Sequence, residues 1–277
     1  MKLFKTLPIL ALAGAATFAN AGLVVTQTND ANALVNSLNN GLATTGESTI
    51  GASDAFGTFT GGLSAGLGFD AGIMLSTGNV TAAVGPNTES ATGSDFTGGG
   101  DSYLDSMVPN YSTYDAAILK FSFTSTTGSM FFNYIFASEE YPEFVGQGYN
   151  DVFAFLVDGV NVANVPGTST VVGVDTVNAN VNSTYYNDNS PSAPSYDIAF
   201  DGFTDVFTAG ISGLTIGQTY EIEMKIADVG DGILDSAVFI ESASFSDINP
   251  NEVPEPAPLA LMLTGIAGLL FARRRKD

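Results

Sequence analysis

The chain has no cysteine, no histidine and no tryptophan, and only eight lysines and arginines in 277 residues. Without cysteine there can be no disulfide, thiolate metal site or sulfur nucleophile. Without histidine the usual imidazole ligands are missing, and so is every Ser-His or Cys-His catalytic pair. Hydrolysis by paired carboxylates survives these exclusions; its candidates are Glu139 or Glu140 with Asp235. Six of the eight basic residues lie at the two ends: Lys2, Lys5, Arg273, Arg274, Arg275 and Lys276. Only Lys120 and Lys225 stand in the body, facing 27 acids, for a net charge near −25. Such a surface repels nucleic acid and anionic lipid and attracts divalent cations. Solubility outside the cell would account for the same charge without any ligand.

The basic ends read as export signals. Lys2 and Lys5 precede an apolar run from Leu7 to Ala16, and Ala19-Asn20-Ala21 is a small-x-small cleavage site before Gly22. Residues 1–21 therefore read as a secretory signal peptide. At the other end, Val253-Pro254-Glu255-Pro256 leads into the 16 uncharged residues from Ala257 to Ala272, and then into Arg273-Arg274-Arg275-Lys276. As a helix that segment is about 24 Å long, short of a hydrocarbon core of about 30 Å. It makes a marginal transmembrane helix, with its four cations held on the cytoplasmic side. A plain C-terminal anchor is one reading. The prolines around Glu255 hold the chain stiff and extended, which suits a protease that reads an extended strand.

The three parts in this order resemble the PEP-CTERM sorting signal of Gram-negative bacteria. The resemblance implies a precursor transiently inserted in the inner membrane and an exosortase-type processing enzyme as partner. It further implies cleavage near Pro254-Glu255-Pro256 and a mature form at the cell surface or outside the cell, alongside exopolysaccharide and biofilm matrix.

Between the ends, one helix is expected early. Asn29 or Asp30 can cap it, and Ala31, Leu34, Val35 and Leu38 follow at helical spacing before Asn39-Asn40-Gly41. Thereafter the period is two. Leu119, Phe121 and Phe123 alternate with Lys120, Ser122 and Thr124, and Tyr220, Ile222, Met224 and Ile226 alternate with Glu221, Glu223 and Lys225. Met130 to Phe136 is an aromatic, central strand. Val152 to Val157 is apolar throughout and turns at Asp158-Gly159 into Val160 to Ala163, a hairpin signal. A last strand is expected from Ala237 to about Phe245. Polar loops are expected at Gly85-Pro86-Asn87, from Thr92 to Tyr111 and over 182–196. Many short strands with one short helix predict an all-β fold, a β-sandwich or jelly roll. Residues 22–248 read as a single domain, followed by a linker over 249–256.

Two acidic clusters stand out. Glu139, Glu140 and Glu143 lead through Gly146 and Gly148 to Asn150-Asp151; Asp228, Asp231 and Asp235 lie among Gly230 and Gly232. Glu139, Glu140, Asp151, Asp228, Asp231 and Asp235 are candidate oxygen ligands for Ca²⁺, which takes six to eight. Neither cluster follows the EF-hand pattern, and hydrated loops with Asp-Gly turns explain them equally. Tyr111, Tyr114, Tyr185, Tyr186 and Tyr196 fall in polar stretches, where they either stack on sugar rings or anchor loops.

The same residues carry a second resemblance. The segments Gly68 to Gly78, Phe132 to Tyr141, Asn150 to Phe155, Ile226 to Asp228 and Asp235 to Phe239 are similar to those of the choice-of-anchor L domain, over residues 23–248. That implies an extracellular β-sandwich-like module without established catalytic activity and without an agreed set of binding residues. The expected function is a non-enzymatic protein of the cell surface or biofilm matrix, adhesive or structural, with Ca²⁺ as its candidate stabiliser. Matrix proteins or an extracellular polysaccharide are its expected partners. A carbohydrate-binding module is the alternative, and a secreted glycosidase a further one.

Overall fold

The computed structural model describes residues 22–247 and 249. Ala19 and Ala21 of the expected cleavage site lie outside the described residues. So do Val253, Pro254, Glu255, Pro256, Arg273, Arg274 and Arg275 of the expected sorting tail. Among the described residues no helix is long and apolar enough to cross a membrane.

The chain runs through β1 (Val24–Gln27), α1 (Ala31–Leu38), β2 (Thr44–Ile50), β3 (Phe56–Thr60), α2 (Gly62–Ala65), β4 (Gly72–Ser76), α3 (Ser102–Met107) and β5 (Thr113–Thr124). It continues through β6 (Ser129–Ser138), β7 (Val152–Val157), β8 (Val160–Asn161), β9 (Val172–Gly173), β10 (Tyr186–Asp188), β11 (Gly202–Thr204), β12 (Phe207–Ser212), β13 (Thr219–Val229) and β14 (Ser236–Glu241). One sheet has the order β1-β3-β4-β14-β6-β11-β10, with β12 also on β6. The other has the order β2-β5-β13-β7-β8, with β9 also on β7. Their strands pair antiparallel, and the two sheets form the predicted β-sandwich.

The period-two pattern explains which faces meet. β5 and β13 pair so that Phe121 lies opposite Ile222 and Leu119 opposite Met224, which puts the apolar sets of both strands on the inner face. From the facing sheet, β6 sends in Met130, Phe132, Tyr134 and Phe136. The rings meet across the sandwich: Phe132 and Phe155 lie 4.1 Å apart between centroids, and Tyr134 and Phe153 5.2 Å. Burying each such ring contributes about 1.5–3 kcal/mol.

The outer faces are partly covered as well. Ile135, Ala137 and Phe239 pack under Phe59, Phe69 and Phe200, while Val152, Ala154 and Leu156 pack under Leu104 and Val108. That is why β7 is buried on both faces and carries no alternation. Asp30 caps α1, accepting the N–H of Asn32 at 3.0 Å and of Ala33 at 3.3 Å. The helix buries the four residues its spacing predicted. Asp158 and Gly159 both adopt positive φ, +47° and +79°, and close the β7–β8 hairpin.

Two expectations are corrected. The last strand ends at Glu241, because Ala243 takes a φ of +55° and turns the chain; Phe245 and Ser246 then bridge to Asn39 and Phe131. The stretch from Thr92 to Tyr111 contains α3, whose first turn is held by the Asp101 carboxylate, accepting from Tyr103 N–H at 2.9 Å and Leu104 N–H at 3.1 Å.

Candidate functional site

Antiparallel pairing brings an acid from β6, β7, β13 and β14 to the same end of the sandwich. Glu139 and Glu140 follow β6, Asp151 precedes β7, Asp228 is near the end of β13 and Asp235 precedes β14. Each of the five is at most 3% exposed, so bulk water does not solvate them. The two acidic clusters predicted as separate loops thus form one buried belt, which corrects the hydrated-loop reading for these residues. Asp231 stands at the edge of the belt, half-buried, accepting the Ile233 N–H at 3.3 Å.

Local bonding holds the belt in place. The Ser138 hydroxyl accepts the Glu140 N–H at 3.0 Å, and the Glu139 N–H donates to the Asp235 carbonyl at 3.0 Å. Asp151 ties the sheets together: its carboxylate accepts from Val229 N–H at 2.9 Å and from the Ser236 hydroxyl at 2.7 Å. Asp235 accepts the Ser94 N–H at 2.9 Å and lies so close over Gly78 that a Cβ there would come within 1.8 Å of Oδ2.

Two further acids, Asp115 and Asp201, join the belt and were not singled out by sequence. Asp115, buried near the start of β5, accepts from Phe96 N–H at 2.9 Å and from Gly98 N–H. Asp201, also buried, accepts from the Asn87 amide. Nothing in the spacing marks either residue among 27 acids; the strap over residues 92–99 that covers the belt does so through long-range contacts.

The electrostatics of the belt are unbalanced. Burial pushes the carboxyls of Glu139 and Glu140 up to about 9, helped by Asp201 at Glu139 and by Asp151 at Glu140. Burial likewise raises Asp235 to about 7 and Asp201 to about 6. Asp228 and Asp151 are both raised, chiefly by burial, and Asp228 also by the Asp151 charge. Oxygens of Glu139, Glu140, Asp201, Asp228 and Asp235 are buried without a hydrogen-bond partner. Both body lysines are engaged elsewhere. Lys225 pairs with Asp101 at 3.0 Å and Glu223 at 2.9 Å, and Lys120 with Glu221 at 3.1 Å. Among the described residues, no group of three or more acids converges as a ready-made metal site.

Two open clefts flank the belt. The first, about 460 Å³, is lined by Glu140, Glu143, Phe144, Tyr149, Asp231 and Ile233, among others. The second, about 540 Å³, is lined by Asp95, Tyr114, Asp115, Asp231 and Ile233 with neighbouring glycines. The loop tyrosines divide accordingly. Tyr185 packs on Phe207, Tyr186 on Tyr141 and Tyr196 on Phe203, so these three are anchors. Tyr111 and Tyr114 are 50% and 40% exposed.

The sequence matches the choice-of-anchor L domain over residues 17–246. The chain belongs to the choice-of-anchor L family. This is a domain of secreted and cell-surface proteins. No curated protein matches the chain, and no solved structure does. The acid belt of this choice-of-anchor L domain therefore has to be interpreted from its own chemistry.

Proposed function

We propose that this choice-of-anchor L domain is a non-enzymatic protein of the cell surface or biofilm matrix, adhesive or structural, whose acid belt is completed by Ca²⁺. The observation that carries the reading is the set of buried carboxyl oxygens that, among the described residues, have no hydrogen-bond partner and no free lysine to pair with. A buried carboxylate without a counter-charge is costly, and either a proton or a cation must relieve it. Oxygen-only donors favour a hard cation, and Ca²⁺ tolerates the irregular geometry that loops provide. Glu139, Glu140, Asp151, Asp228, Asp231 and Asp235 are the proposed donors. Melting the purified protein in excess EDTA and in millimolar Ca²⁺ tests this; an unchanged melting temperature removes the cation.

The non-enzymatic reading draws support from the same residues. The carboxylate pair left for hydrolysis places Asp235 against Gly78 and Ser94, where it lines neither cleft. A glycosidase needs both its carboxyls to flank the scissile bond.

The proposed route outward is export by the signal peptide, then exosortase-type processing after transient insertion in the inner membrane. The ordered Pro-Glu-Pro, apolar and basic segments support it. Mass spectrometry of the secreted form should find a C-terminus near Pro254-Glu255-Pro256; a mature chain that still carried Arg273 to Lys276 would overturn it.

A further inference from the structure

The two clefts share Asp231 and Ile233 as a common ridge, so they form neighbouring subsites along one end of the sandwich. Each combines flat apolar rings with carboxylates. Phe144 and Tyr149 meet edge to face, 5.4 Å between centroids, beside Glu140 and Glu143. Across the ridge, Tyr114 stands beside Asp95 and Asp115. Among the described residues, no lysine or arginine lines either cleft. Glu140 is 3% exposed, lines the first cleft, and has a buried Oε2 without any partner.

From this geometry we infer that the paired clefts bind a glycan whose sugar rings carry free amino groups, with the rings stacked on Tyr149 and Tyr114 and the ammonium groups held by the Glu143 and Asp231 carboxylates and donating to the Glu140 carboxyl.

The chemistry excludes the neighbouring classes. With no divalent cation bound, an anionic glycan would meet carboxylates and no positive charge to offset them. A neutral glycan would donate hydroxyl hydrogen bonds yet leave the carboxylate charge unpaired. An ammonium group satisfies both needs, because charge-assisted hydrogen bonds are the strong ones. A lysine-rich peptide supplies the charge but has no flat ring face for the tyrosines. Successive subsites suit a polymer in which ring and charge repeat together.

The inference rests on the reading of a non-enzymatic surface domain and separates cleanly from it. Glu140 and Asp231 are shared with the proposed cation site, so Ca²⁺ competes with the ammonium groups there. The titration in EDTA reads the glycan alone, and a missing calcium response in melting removes the cation without removing the contrast between the glycans. Shortening of the oligomers, read by mass spectrometry, would instead show an enzyme.

The test is calorimetric titration of the purified full-length protein with a glucosamine hexamer, an N-acetylglucosamine hexamer and hexalysine. It is run with Ca²⁺ and with EDTA, at about pH 6, where amines are protonated. The glucosamine hexamer should bind at least about tenfold more tightly than the acetylated one. Glu143→Gln and Tyr149→Ala should each weaken it by about tenfold. Asp231→Asn tests the charge a second time, on the ridge between the clefts. Asp158→Asn, at the opposite end of β7, removes an equal charge and should leave binding unchanged. Equal binding of the acetylated hexamer, equal binding of hexalysine, or no binding of the glucosamine hexamer would each overturn the inference.

Discussion

Raising the pH in the absence of divalent cations should destabilise this domain, and Glu139 and Glu140 set the scale. Their ordinary value is 4.5 and burial holds both near 9. The folded protein keeps two protons that the unfolded chain releases. Their stabilisation is fully present below about pH 4.5 and is lost as pH climbs toward 9. At about 1.4 kcal/mol per pH unit, each group gives up about 3 kcal/mol between pH 4.5 and 7. The pair together forfeits about 6 kcal/mol, comparable with the whole stability of a domain. Water admitted by local opening screens part of this; if half survives, the melting temperature falls by roughly 6–12 °C over that range. Thermal melts followed by circular dichroism, stepped from pH 4.5 to 8 in EDTA, would read it. General self-repulsion among the 27 acids acts in the same direction but fades at about 0.5 M salt, whereas a buried desolvation cost does not. The double variant Glu139→Gln, Glu140→Gln cannot ionise at those positions and should make the curve shallower, the remaining slope coming from Asp151, Asp201, Asp228 and Asp235. With Ca²⁺ at about a hundred times its dissociation constant, about 2.7 kcal/mol should return at neutral pH. A melting temperature in EDTA that is level or rising from pH 5 to 8 would refute the belt as described.

Three other perturbations probe separate levels of the structure. Phe132→Ala removes a fully buried ring that meets Phe155 across the sandwich and should cost about 3–5 kcal/mol in denaturant unfolding; a loss below about 1 kcal/mol would mean the sheets do not pack there. Asp30→Ala deletes the α1 cap and should cost about 1 kcal/mol in the same assay. Gly78→Ala drives a methyl into the Asp235 carboxyl, so most of the calcium-induced rise in melting temperature should vanish; an undiminished rise removes Asp235 from the cation site.

How far the sequence foretold this structure depended on the range of the forces involved. α1 was legible because its cap and its apolar spacing lie within nine residues, and the β7–β8 hairpin because Asp158-Gly159 is the local chemistry its turn requires. β5 and β13 were legible from alternation, since each has one wetter face. β2 (Thr44–Ile50) and β3 (Phe56–Thr60) were not, being short, rich in threonine and glycine, and recognisable only once paired. α3 escaped for a similar reason: six residues are too few to display a helical period. The six acids were visible as candidates, but the burial of five of them was not. It arises from antiparallel register and from the strap through Ser94, Phe96 and Gly98, none of which has a signature near Glu139.

The burial of those acids changes what the acidity of the chain means. A uniformly acidic surface needs only water and salt around it, and would explain solubility outside the cell. Carboxylates at 3% exposure or less cannot serve solubility, because they do not meet solvent. With both body lysines engaged by Asp101, Glu221 and Glu223, no cation among the described residues neutralises them. Protons do so for Glu139 and Glu140 past neutrality, at a cost in stability that grows with pH, and a cation or amine from the surroundings relieves that cost. A bound cation within the belt and an amine-bearing ligand in the clefts beside it are two answers to the same deficit. Both make the stability of this end of the sandwich depend on what the surroundings supply, which suits a domain that works outside the cell.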